Sequence, residues 1–138
     1  MIVTEKLSFS TKGNGDVIDI TPEVAEKVSK SGINSGVATV FVTGSTAGIT
    51  TIEFEPGLVA DLKEMWQRLV PEGVPYQHDS RWGDGNGYAH VRAALLGASL
   101  VVPFKDRTLL LGTWQQIVVL DFDNRPRSRQ VVVQISGE

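Results

Sequence analysis

Cysteine is absent from the 138-residue chain, which excludes disulfides, thiolate nucleophiles and zinc–cysteine clusters. Histidine, aspartate and glutamate are left as the metal-binding side chains, and only two histidines occur, His78 and His90. No apolar run approaches the roughly 20 residues that span a bilayer. The segment Met1–Lys6 also lacks the basic stretch and apolar core of a secretory signal. These absences lead to the expectation of a cytoplasmic protein with no membrane partner. A basic surplus is missing as well: the net charge of -3 gives no electrostatic ground for nucleic-acid binding. The one dense basic cluster, Arg125, Arg127 and Arg129, is interrupted by Pro126 and Ser128 and leads into an apolar strand. It reads as a solvated turn, with a local phosphate contact as the alternative.

The length and an ordinary apolar fraction of 41% point to one domain, residues 1–138, with a core large enough to need no covalent staple. Val3–Ser10 alternates apolar and polar side chains, the period of a half-buried antiparallel strand. Gly13–Asp16 is a turn signal, and Val17–Ile20 resumes the alternation, so the two runs predict a hairpin. Thr21-Pro22-Glu23 reads as a helix start with Thr21 as cap and Val24 and Val28 as inner stripe, ending near Ser31-Gly32. Gly36–Thr43 has too little polarity for an edge and predicts a central strand; Ile49–Ile52 predicts another. Leu58, Leu62, Met65, Trp66 and Leu69 recur at helical spacing up to Pro71. Pro71–Gly87 reads as an irregular loop, followed by a short helix capped by Asn86 and carrying Val91, Ala94 and Leu95. Four strands follow, in Ser99–Phe104, Thr108–Leu111, Gln116–Phe122 and Gln130–Ser136. Strands outnumber helices without a βαβ rhythm, so the expected class is α+β: a mainly antiparallel β-sandwich with two or three helices.

Three places are suited to chemistry. His78 and His90 flank one loop with Asp79, Asp84 and Asn86, a set able to exchange protons near neutral pH or ligate a metal; structural, hydrogen-bonded histidines are the alternative. Thr43–Gly48, with Ser45 and Thr46, offers glycines, hydroxyls and backbone N–H groups to a phosphate, although without the lysine of a P-loop it reads more simply as a tight connection. A nucleophilic role for Ser45 is disfavoured, because no strand-to-helix elbow surrounds it. Gly112–Gln116 brings Thr113, Trp114 and Gln115 together, where a planar ring can stack on the indole and bond to the amide; filling a core or a subunit interface is the alternative.

In order and spacing, Phe41–Gly48, Leu69-Val70-Pro71, Tyr76–Asp79, Asn86–Ser99, Gly112–Gln115, Arg125-Pro126-Arg127 and Val131–Gly137 resemble the YjbQ family, whose members are commonly labelled secondary thiamine-phosphate synthase. The resemblance implies a compact α+β subunit in a homotrimer, with polar pockets near subunit boundaries. It also implies a transferase that joins a pyrimidine pyrophosphate to a thiazole phosphate. Binding of a phosphorylated metabolite without turnover and hydrolysis of small phosphate esters are the alternatives. Carried over by position, the resemblance matches His78 and His90 to family histidines, Glu53 to an acidic position and Thr113 and Gln115 to the later signature; His78, His90 and Glu53, with Asp79 behind His78, are the expected catalytic residues. Ser45, Thr46, Asn86, Arg92, Thr113, Trp114 and Gln115 would contact substrate, and His78 and His90 would ligate a divalent metal, magnesium or zinc. Gly44 and Tyr88 stand where many relatives carry histidine, which depletes a multi-histidine metal site.

Overall fold

The computed structural model describes Met1–Glu138. Along the chain run β1 (Ile2–Thr11), β2 (Asp16–Asp19), α1 (Thr21–Ser29), β3 (Gly36–Thr43), β4 (Ala47–Ile52), α2 (Pro56–Leu69), α3 (Gln77–Trp82), α4 (Gly87–Leu96), β5 (Ser99–Lys105), β6 (Thr108–Leu109), β7 (Gln116–Asp121) and β8 (Arg127–Gly137). All pairings are antiparallel and form two sheets, β1-β8-β3-β5-β6 and β2-β7-β4, which confirms the α+β sandwich. As expected for its apolar run, β3 is interior, bonded on one side to β8 and on the other to β5.

The two sheets and the helices make three layers, because β7 is buried on both faces. Its Ile117 and Val119 meet Val131, Val133 and Ile135 of β8 and Val40 and Val42 of β3 in one core. Its Val118 and Leu120, with the following Phe122, meet Trp66 of α2 and Tyr88, Ala89 and Ala93 of α4 in a second. Trp66 and Phe122 pack edge to face, with ring centroids 4.9 Å apart. Val24 and Val28 of α1 are fully buried in the first core, each contributing about 1.5–3 kcal/mol by removal from water.

Several local expectations are corrected. β1 and β2 do not form a hairpin: β1 pairs with β8 and β2 with β7, so Gly13–Gly15 carries the chain from one sheet to the other. The positive φ values of Gly13, Asn14 and Gly15 make that crossing sharp. Thr21 is the first residue of α1 rather than its cap, and its hydroxyl accepts from the Ile117 N–H. Leu69 is 61% exposed because Val70, just past the end of α2, takes the inward position instead. On α4, Val91 and Leu95 are exposed, while Tyr88, Ala89, Arg92 and Ala93 face inward. The loop expected over Pro71–Gly87 contains the short helix α3.

The arginine cluster is not a solvated turn. Arg127 and Arg129 open β8 and reach across to the acidic end of β7, and only Arg125 is left exposed. No helix is long and apolar enough to cross a membrane.

Candidate functional site

At the end of the sandwich where β7 and β8 separate, Asp121 and Asp123 share a face and are completely buried. Burial raises a carboxylate's pKa, but the opposing hydrogen bonds prevail, so both groups are held below the usual carboxylate range. Arg129 donates Nε and Nη2 to the two Asp121 oxygens at 2.7 and 2.8 Å, and Thr11 Oγ1 and the Asp123 N–H donate to the same carboxylate. Asp123 accepts from Arg127 Nε at 2.7 Å, Thr46 Oγ1 at 2.9 Å and Asn86 Nδ2 at 3.3 Å. Two ion pairs therefore tie one sheet to the other and fix the guanidinium groups as a wall.

α3 and α4 supply the opposite wall. The Asp79 carboxylate accepts from the N–H of Gly87, the first residue of α4, and so satisfies a helix-start donor that Asn86 was expected to serve. Asn86 turns instead to Asp123. This sets the His78 and His90 rings against each other, with centroids 4.3 Å apart and planes tilted by 41°. Burial and the neighbouring His78 charge push the His90 pKa down, favouring a neutral imidazole.

Between the walls lies an open cleft of 400 Å³, bordered by His78, His90, Asp84, Asn86, Arg127, Arg129, the Gly44–Thr46 segment and the exposed Trp82. Two of its polar atoms are buried without a hydrogen-bond partner: His78 Nδ1 and Asn86 Oδ1. His78 Nδ1 lies 3.6 Å from Asp84 Oδ1 and 3.7 Å from Asp79 Oδ1, too far for hydrogen bonds. Donors on one metal through bonds of about 2.1 Å sit about 3.0–3.4 Å apart. Ligand atoms of His78, Asp79 and Asp84 all lie within 4.8 Å of one another, so this trio fits a divalent cation after a small contraction. Its imidazole donor favours zinc over magnesium, which prefers an all-oxygen shell. His90, expected as a second ligand, falls outside this trio and packs at a tilt against His78 instead.

The structure thus brings His78, Asp79, His90, Ser45, Thr46 and Asn86 to one place, although the Thr46 hydroxyl is committed to Asp123 and Arg129. The remaining expected site residues lie outside the cleft. Glu53 is exposed beyond β4; Thr113 and the 73%-exposed Trp114 lie on the loop before β7, where Gln115 bonds to Thr51 and Gly112. Arg92 is buried, donating to the Val70 carbonyl and Gln67. Tyr88 packs in the second core with the Arg92 guanidinium 4.9 Å from its ring centre, so it does not line the cleft. Sequence reasoning missed Asp121, Asp123 and Trp82. The available signal was an Asp-x-Asp pair ending one strand and an Arg-x-Arg pair opening the next, both at strand period.

Fold and site together define a small antiparallel α+β sandwich with a polar, histidine-bearing cleft at one end. The chain belongs to the UPF0047 protein YjbQ-like family, whose model matches residues 5–138. A UPF0047 protein of Archaeoglobus fulgidus is 40% identical over 129 residues, covering 94% of this chain and 98% of that one. The UPF0047 protein YugU of Bacillus subtilis is 36% identical over 132 residues, covering 95% and 97%. Among solved structures, a YbjQ-like protein of unknown function from Sulfolobus solfataricus superposes with a TM-score of 0.94 at 33% identity, covering 100% of this chain and 99% of that one. These findings overturn the thiamine-phosphate synthase expectation: the family description assigns no such activity, and the relatives are described as UPF0047 proteins or as of unknown function.

Proposed function

We propose that this chain is a cytoplasmic protein that captures a small phosphorylated metabolite in the cleft with the help of a divalent cation. The observation that carries the reading is the buried, unpartnered His78 Nδ1 beside Asp79 and Asp84, in a cleft that also presents two arginines. A polar atom buried without a partner costs about 1–3 kcal/mol, so a ligand that satisfies it gains by binding. Charge decides what can enter. Arg127 and Arg129 are neutralised by Asp123 and Asp121, which leaves Asp79 and Asp84 to make the empty cleft acidic. A phosphate is repelled by that field until a divalent cation on His78, Asp79 and Asp84 cancels it. The unshared Nη groups of Arg127 and the open Gly44–Thr46 backbone are then left to receive anionic oxygens.

Calorimetric titration tests this order of binding. Zinc should bind in the absence of anion, and inorganic phosphate should bind only to the zinc-loaded protein; His78→Ala should lose both. Equal phosphate binding with and without zinc, or undiminished zinc binding by His78→Ala, sinks the reading.

Assembly as a homotrimer is part of the same proposal. Val37 and Phe41 of β3 and Val101 of β5 lie on the outer face of the five-stranded sheet at 39%, 44% and 59% exposure. Contiguous exposed apolar side chains of this kind mark association surfaces.

A further inference from the structure

Gly44 borders two cavities and leaves one end of the buried Arg129 guanidinium uncovered. Its φ is 145°, and a Cβ there would lie 2.7 Å from Arg129 Nη1. That nitrogen is the one end of the guanidinium without a hydrogen bond, because Nε and Nη2 hold Asp121 and Nη2 also reaches Thr46. The Arg129 side chain is only 7% exposed and is clamped by these partners, so the free N–H groups have a fixed direction. A fixed guanidinium N–H donor bordering the cleft is suited to an oxyanion once the acidic field is cancelled.

Gly44, Ser45 and His90, which border the polar cleft, also border a second cavity of 460 Å³. Its remaining wall is made of small residues, among them Ala93, Ala94, Gly97 and Ala98, and its only titratable side chain is His90. With no carboxylate, lysine or arginine in its lining, this cavity offers no fixed charge to compensate an ionic group and suits an uncharged one. The absence of a side chain at Gly44 leaves the polar and apolar spaces continuous.

We propose that the ligand is a phosphate monoester lying across Gly44. Its phosphoryl group rests on Arg129 Nη1 and Arg127 in the polar cleft. Its compact, uncharged organic group lies over Ala94 and Ala98 in the second cavity. This rests on the phosphate reading of the cleft and adds the class and orientation of the ligand.

The experiment compares inorganic phosphate with phenyl phosphate on the zinc-loaded protein by calorimetry. Phenyl phosphate should bind about tenfold more tightly, a difference of about 1.4 kcal/mol. Ala94→Leu fills the second cavity from an exposed position on α4; it should abolish that gain and leave the affinity for inorganic phosphate unchanged. Equal affinities for the two anions in the parent protein, or a gain that survives Ala94→Leu, overturn the orientation while phosphate capture stands. Failure of inorganic phosphate to bind the zinc-loaded protein overturns both. Guanidinium-detected NMR addresses the donor itself: the Arg129 signals should shift when phenyl phosphate is added, and unmoved signals would remove Arg129 from the site.

Discussion

Replacing Asp121 with asparagine tests the wall on which the cleft is built. The carboxylate is fully buried and accepts four donors: Arg129 Nε, Arg129 Nη2, the Thr11 hydroxyl and the Asp123 N–H. An asparagine of the same shape offers one acceptor oxygen, so its NH₂ group must face a donor and the buried Arg129 charge keeps only the Asp123 carboxylate, 4.0 Å from Nη2, as a counter-charge. Breaking a buried ion pair on one side costs about 3–5 kcal/mol. At this chain length that corresponds to a fall in Tm of roughly 10–20 °C. Urea denaturation should show a lower midpoint with an unchanged m value, because the surface exposed on unfolding is the same. The double variant Asp121→Leu, Arg129→Met removes both charges and should recover much of the loss, since an apolar replacement of a buried pair is often neutral. A single-variant loss below about 1 kcal/mol, or a double variant no better than the single, refutes the claim that this pair braces the two sheets. The same linkage gives an acid limit. Because Asp121 and Asp123 titrate below their ordinary value of 3.8, their stabilisation is present above that value and is lost as pH falls through their folded pKa values.

His90 should titrate below 6.5 when followed by NMR; the folded state binds its proton more weakly than the unfolded chain, so stability is intact above 6.5 and declines as pH falls toward the folded pKa. A midpoint at or above 6.5 contradicts the effect of burial and the His78 charge. Gly44→Ala should fold but lose about 1–3 kcal/mol in urea denaturation, from its left-handed φ and the contact with Arg129 Nη1; a neutral result shows that the loop relaxes freely. Phe41→Asp places a charge on the exposed outer face of β3 and should shift the mass in light scattering from trimer to monomer with the fold intact by circular dichroism. A trimer that survives the substitution, or a monomeric parent, removes this face from the interface.

Much of the fold was legible because it follows local periods. The alternation in β1, the uninterrupted apolar run of β3 and the helical spacing of α2 are each carried by residues that pattern with their own neighbours. The histidine loop was legible for a similar reason, since an aromatic, acidic and glycine-rich segment resists regular structure and brings its polar groups into one stretch of chain. What the sequence by itself determined is therefore the elements, the α+β class and one half of the cleft. Only the tertiary structure decided how strands pair across long separations. It sent β1 to β8 rather than β2, and it turned an apparent surface cluster of arginines into buried partners of Asp121 and Asp123. It also drew Glu53, Arg92 and Trp114 away from the histidines, because side chains distant in sequence meet only when sheets stack and helices dock. Burial then selects those polar groups that find partners, and no local pattern contains that information.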